Sequence, residues 1–446
     1  MAAPALTADH DVVIGPRHKG FPAGTWGTTV GELGARRPTL AEFSTPLLTL
    51  DTGVVDANLD AVRRWTAERG LDLAPHGKTT MSPTLWRRML DRGAVAITLA
   101  TPWQVQVARA AGIRSIMLAN TLVDPAGIRW IAAELDADPD LALASWVDSV
   151  EAVRLLADVR RAAGAVRPQD VVVELGATGG RTGARGVAAA LDVARAVVAS
   201  PSLRLAGCGG YEGALAHDRS DAALAAVRGY LADVATLHGT LLAEGLYETD
   251  RVVVTEGGSA YLDVVADELG PLVDPAGERG TPTSVVLRSG AYIAHDDGFY
   301  RGISPLDGGA AGASPNDANA DAPRLSSAMH AFVRVVSRPE PGLALLDGGK
   351  RDLPFDEGLP VPQRVLGLGR EASEAALAGA RITALNDQHA FLHLGPAARD
   401  ALPVGSVVRL GLSHPCTAFD KWRLVPLVED AAADDPVVVD AVATYF

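Results

Sequence analysis

The chain has 446 residues, 48% of them hydrophobic and 21% charged, a balance that suits a folded globular protein and excludes wholesale disorder. At roughly 150 residues per domain the length predicts two or three domains, although one α/β barrel can absorb about 250 residues. With 40 basic against 54 acidic residues the net charge is −14, which argues against nucleic acid or an anionic membrane surface as the partner.

Residues 1–45 lack sustained periodicity and read as an N-terminal arm. No basic stretch followed by an apolar one opens the sequence, so no signal peptide is expected. Nowhere does an uninterrupted apolar run reach the roughly 18 residues of a membrane helix. Cys208 and Cys416 cannot form a disulfide framework for a chain this long, and a reducing, cytoplasmic setting suits them.

From Pro46 a strand-then-helix alternation sets in. Short apolar runs at Leu47–Asp51, Asp72–Lys78, Ala94–Thr101, Ser115–Thr121, Leu141–Asp148, Asp170–Ala177, Leu203–Tyr211 and Arg251–Gly257 predict strands. Segments with helical spacing lie between them, among them Val54–Arg69, Ser149–Ala163 and Asp221–Glu244. Ser82-Pro83, Thr101-Pro102 and Asp124-Pro125 each place a capping residue before a proline at a first helical position. The strand runs are nearly continuous rather than alternating, as a parallel sheet covered by helices requires. Eight such units predict an α/β protein with a TIM-like (β/α)8 barrel over residues 46–270, in preference to an open doubly wound sheet.

After Pro271 the alternation stops. Ser284–Ala294, Ala331–Ser337, Gly342–Leu346, Ala378–Asn386, Ala390–Leu394, Ser406–Leu412 and Trp422–Val428 read as short strands separated by turns. They predict a mostly antiparallel β domain over residues 271–446. Residues 307–323 are small, polar and of low complexity, and read as a mobile loop.

Active sites of such barrels lie at the carboxyl ends of the strands. Read there, the sequence gives His76-Gly77-Lys78-Thr79, Gly179-Gly180-Arg181-Thr182-Gly183, Gly209-Gly210-Tyr211-Glu212-Gly213 and Glu256-Gly257-Gly258-Ser259. A glycine-rich turn leading into a helix offers backbone N–H groups to a phosphate. Lys78 taken singly is an ordinary rim lysine; beside a phosphate cradle it suits a Schiff base to pyridoxal 5'-phosphate. In the β domain, His414 and Cys416 are two residues apart, so in an extended segment imidazole and thiol address one point, a pair that prefers zinc. The bland reading of that segment is a buried turn. Cys208 reads as core, His217 as pocket lining or rim cover, His389 as a surface turn or a metal neighbour, and Asp296-Asp297 as a solvated turn in preference to a calcium-like pair.

These residues resemble the metal-activated, fold-type III pyridoxal-phosphate enzymes: the D-serine dehydratases and the related D-threonine aldolases. The similarity runs from about Pro46 to Glu429. It includes Pro75-His76-Gly77-Lys78-Thr79, Arg181 with Gly183, Tyr211 with Gly213, Gly257-Gly258-Ser259, Asp356-Glu357-Gly358-Leu359-Pro360 and His414-Pro415-Cys416. The resemblance implies an alanine-racemase-like barrel followed by a β domain, and a homodimer. It also implies a cofactor on Lys78 with Arg181 and Tyr211 at its ring side, and phosphate on Gly257, Gly258 and Ser259. His with Cys implies the dehydratases and Zn2+; the aldolases tend to have His with Asp and Mn2+ or a similar hard ion. Ala74, Thr80, Gly176 and Gln388 depart from the family pattern and point to a divergent branch of amino-acid deaminases.

The activity so implied is β-elimination from a D-3-hydroxy amino acid to a 2-oxo acid and ammonia, with Lys78 as the catalytic base. Retro-aldol cleavage of the same substrates to glycine and an aldehyde is the alternative. A non-catalytic cofactor carrier built on the same barrel is the alternative from another class; such carriers lack a β domain with a His-x-Cys pair.

Overall fold

Residues 6–307 and 324–446 are described by the structure, a computed structural model. They divide into two units that interleave along the chain. One holds Val62–Lys78 and Arg88–Gly290; the other holds Leu6–Ala61, Thr79–Arg87 and the described part of Ala291–Phe446.

In the first unit eight parallel strands follow one another around a sheet. Their order is Asp72–Leu73, Thr283–Leu287, Val252–Glu256, Leu203–Gly210, Gln169–Gly176, Ala142–Val147, Ser115–Thr121 and Ile97–Leu99. A parallel bridge between His76 and Thr98, with the Thr98 N–H donating to Pro75 O at 2.9 Å, joins the last strand to the first. The ring is therefore closed, as the alternation predicts. Val171, Val172 and Val173 are all buried, because side chains on both faces of such a strand meet apolar neighbours. Glycine is required where two strands run closest: a Cβ on Gly207 or Gly209 would lie 2.0 Å from the carbonyl oxygen of Val253 or Thr255.

Two of the three expected caps form. Thr101 Oγ1 accepts the Gln104 N–H at 3.3 Å, and the Asp124 carboxylate accepts the Gly127 N–H at 2.7 Å. Ser82 does not cap; its hydroxyl is buried without a partner.

The strand expected to open the barrel is a correction. Leu47–Asp51 lies in the second unit, pairing antiparallel with Met329–Glu340 and parallel with Leu424–Val428. The barrel place falls to Thr283–Leu287, expected in the β domain, which bonds both to Val252–Glu256 and to Asp72–Leu73. With those partners satisfied the ring has no room for another strand.

The second unit's sheet runs Arg381–Leu385, Ala390–His393, Leu343–Leu346, Met329–Glu340, Leu47–Asp51, Leu424–Val428 and Val438–Ala443. Val407–Gly411 pairs with both Met329–Glu340 and Val361–Val365. Every pairing but one is antiparallel, as expected after the barrel. The arm before Pro46 is more structured than its composition suggests. Thr29 and Glu32 form a reciprocal capping box on helix Val30–Arg36, and Pro38 O accepts the Val438 N–H at 2.8 Å. The expected mobile loop, apart from Asp307, lies outside the described residues. Among those residues no helix is long and apolar enough to cross a membrane.

Candidate active site

At the carboxyl ends of the barrel strands His76, Lys78, Arg181 and Tyr211 lie in one region. Lys78 sits in a tight turn, Gly77–Thr79, two residues after His76. His76 is half-buried, with Nδ1 shielded from solvent, and burial together with the positive charges of Lys78, Arg288 and Arg181 holds its pKa well below the usual 6.5. The imidazole is therefore neutral, and the same interactions bring Lys78 and Arg181 to one region of the rim. Arg181 lies over the ring of Tyr211, its guanidinium carbon 4.6 Å from the centroid. A small cavity beside this stack is lined by Glu174, Gly176, Arg181, Thr182 and Tyr211.

The glycine-rich turn Gly257-Gly258-Ser259 follows strand Val252–Glu256 as expected, but two of its N–H donors are taken. The N–H groups of Gly257 and Gly258 donate to the carboxylate of Glu212 at 3.1 and 2.6 Å, and Glu212 is wholly buried. Ser259 follows, close to the start of helix Leu262–Leu269, and Ser289 Oγ donates to Gly258 O at 3.1 Å. A Cβ on Gly258 would lie 3.1 Å from the Tyr211 ring, so a side chain there would crowd the stack.

Arg288, which the sequence reading passed over, braces this end of the barrel. It donates to Thr255 Oγ1 at 2.6 Å and to Gly210 O, and it stacks on Trp146 at 4.5 Å. Glu256, Glu212 and Glu174 surround it. Burial, then the neighbouring Glu212 charge, holds the Glu256 carboxyl well above its usual range. The only signal for Arg288 in the sequence is a lone cation ending the apolar run Thr283–Leu287.

Six buried polar atoms at or next to these strand ends have no hydrogen-bond partner: Nδ1 of His76, Oγ1 of Thr121, Nε1 of Trp146, Oε2 of Glu174, Oε2 of Glu256 and Nε of Arg288. Buried polar atoms are normally paired, so a concentration of orphans at one end fits a polar ligand such as pyridoxal phosphate.

In the second unit His414 and Cys416 do come together. Burial opposes charge on the His414 imidazole, but hydrogen bonding and charge from Cys416, then from Asp356, carry its pKa from 6.5 up to about 9. Nδ1 of His414 lies 2.5 Å from Asp356 Oδ2, and Thr417 Oγ1 donates to Asp356 Oδ1 at 2.6 Å. Cys416 Sγ lies 3.3 Å from Thr79 Oγ1. A nitrogen and a sulfur donor addressing each other fit zinc. Among the described residues no group of three or more His, Cys, Asp or Glu is arranged around a metal position, so the pair has no third protein ligand there.

Of the remaining candidates, Cys208 is core, fully buried with its pKa pushed up to about 12 by burial. His389 is exposed in the turn between Arg381–Leu385 and Ala390–His393. Asp296 corrects the expectation of a solvated turn. It is buried, and its Oδ1 accepts N–H groups of Gly298 and Tyr300 at 3.0 and 2.8 Å.

A closed parallel barrel with a lysine-bearing rim, accompanied by a largely antiparallel sheet, defines an alanine-racemase-like fold. Residues 328–428 match the family model described as "Putative serine dehydratase domain". The chain is 27% identical to the D-threonine aldolase of an Arthrobacter species over 89% of its own length and 92% of that protein's. Its fold matches the D-threonine aldolase of Filomicrobium marinum with a TM-score of 0.72 at 24% identity, covering 92% of this chain and 97% of the other. It matches the D-threo-3-hydroxyaspartate dehydratase of Delftia sp. HT23 with a TM-score of 0.70 at 22% identity, covering 92% and 99%. The chain is therefore similar to the D-threonine aldolases and 3-hydroxyaspartate dehydratases in fold along most of its length, and to the serine dehydratase domain over residues 328–428.

Proposed function

We propose that the chain is a pyridoxal-phosphate- and zinc-dependent lyase that dehydrates D-3-hydroxy amino acids such as D-serine or D-threonine, releasing a 2-oxo acid and ammonia. One observation carries the reading: the hydroxyl of Thr79, the residue directly after Lys78, meets Cys416 Sγ at 3.3 Å. Thr79 and Cys416 lie in the same unit, so the residue that follows Lys78 in the chain neighbours the thiol of the His-x-Cys pair. When bound, the cofactor supplies an electron sink for charge at Cα, and the metal a Lewis acid for the departing β-hydroxyl.

The chain's own groups divide the remaining work. Lys78 would hold the cofactor at rest, and its Nζ would take the Cα proton as general base. Arg181, fixed against Tyr211, braces the ring side. With Gly257 and Gly258 N–H donated to Glu212, the Ser259 hydroxyl and the positive end of helix Leu262–Leu269 are the donors that would face the phosphate. Loss of the Cα proton and the β-hydroxyl leaves an enamine, which takes up a proton and hydrolyses to the 2-oxo acid and ammonia.

The second reading is retro-aldol cleavage, favoured by the match to a D-threonine aldolase across 92% of its length. Products separate the two. Purified protein, stripped with chelator and resupplied with zinc or manganese, is expected to form pyruvate and ammonia from D-serine. Glycine and acetaldehyde from D-threonine, with no 2-oxo acid from either substrate, would replace dehydration by cleavage. Sedimentation of the same preparation tests the expected homodimer.

A further inference from the structure

We propose that Asp356 is the positioning residue of the metal pair: it grips His414 by Nδ1, so that Nε2 of His414 and Sγ of Cys416 are presented to one metal ion. The proposal rests on the metal-dependent reading above and adds a residue to it.

Four features of the second unit support it. The Nδ1–Oδ2 separation of 2.5 Å is that of a strong, charge-assisted hydrogen bond. The other carboxylate oxygen is held by Thr417 Oγ1 at 2.6 Å, so both oxygens are engaged and Asp356 is not a spare third ligand. The segment carrying Asp356 is fastened to the ligand segment a second time, Ser413 Oγ donating to Gly358 O at 3.0 Å. Finally, the His414 backbone is fixed independently. It adopts the left-handed region with φ of 73°, and its N–H donates to Oδ2 of the buried Asp296 at 2.9 Å.

A metal-bound imidazole needs its second nitrogen engaged to fix its tautomer and the direction of its lone pair. Two protein donors give a metal little margin for a ligand that rotates. With Nδ1 donated to a pinned carboxylate, Nε2 is the nitrogen left for a metal and rotation of the ring is opposed.

The test is a zinc titration of the full-length protein against a chromophoric chelator. Asp356→Ala is expected to weaken zinc by about 10–100-fold, the usual effect of removing an outer-shell partner. Asp356→Asn, which keeps an oxygen acceptor, loses less, and Thr417→Val, which only loosens the carboxylate, loses least. Thermal melts of the three variants confirm folding. Cobalt(II) at saturation should still show a thiolate-to-metal absorption band in Asp356→Ala, because Cys416 remains a ligand. Zinc affinity unchanged in Asp356→Ala overturns the proposal, as does a changed cobalt coordination number, which would make Asp356 a ligand. If the unaltered protein binds zinc no better than a His414→Ala/Cys416→Ala double variant, the metal-dependent reading itself falls, and the proposal with it.

Discussion

Replacing Arg288 by methionine tests whether the carboxyl end of the barrel is held by one buried cation. The guanidinium is 1% exposed and donates to Thr255 Oγ1 and Gly210 O, linking the strands Val252–Glu256 and Leu203–Gly210 to its own. Methionine fills much of the volume and keeps a contact with Trp146, but it leaves Thr255 Oγ1 and Gly210 O without their charged donor. Two hydrogen bonds to a charged group, at about 1.5–3 kcal/mol each, put the loss at about 3–6 kcal/mol. At about 2–4 °C per kcal/mol for a unit of this size, the melting temperature should fall by about 6–24 °C. The assay is calorimetry at fixed scan rate, because a chain this long need not unfold reversibly. A melting temperature within about 2 °C of the unaltered protein would refute the brace and reduce Arg288 to packing.

The other predictions concern the site and its pH response. Lys78→Ala should abolish the visible absorbance of bound pyridoxal phosphate and lower turnover by at least about 10²–10⁴-fold, with the melting profile of the cofactor-free protein unchanged. Gly213→Ala would place a Cβ 2.6 Å from Cζ and Oη of Tyr211. The ring must shift from Arg181, so cofactor affinity should drop by a factor of about 2–5, the equivalent of a cation–π contact, read by absorbance titration. His238 and His330 are buried neutral, with burial lowering their pKa to about 4 and about 3. The unfolded chain therefore binds their protons first, and stability present above the ordinary 6.5 is lost as pH falls. Between about pH 7 and pH 5 each should cost about 2 kcal/mol, and His330→Asn should lose its share of that dependence in urea titrations.

The barrel was legible because its period is local. Each helix-forming stretch follows its strand within a few residues, and Thr101-Pro102 and Asp124-Pro125 mark helix starts by chemistry confined to one turn. Sheet membership was not. Leu47–Asp51 and Thr283–Leu287 are both five-residue, wholly buried apolar runs. Nothing inside either run says which partners it will bond, since Leu47 finds Phe332 and Thr283 finds Val252. Ser82 shows the converse, a correct capping dipeptide whose hydroxyl finds no partner once buried.

The same division runs through the site. Lys78, Arg181, Tyr211, His414 and Cys416 could be singled out because each is a rare reactive type, or stands beside a glycine that a turn requires. Arg288 could not, and Glu212, Asp296 and Asp356 stood in motifs without a role, because their work is to hold other groups that are distant in sequence: Arg288 reaches across 78 residues to Gly210, and Asp356 across 58 to His414. A carboxylate that accepts two backbone N–H groups looks, in the sequence, like any surface glutamate. Its role exists only when Tyr211-Glu212-Gly213 and Gly257-Gly258 meet. The groups named for their chemistry are therefore half of the arrangement. The other half is a set of buried charges, already engaged with one another, that fixes where that chemistry can act.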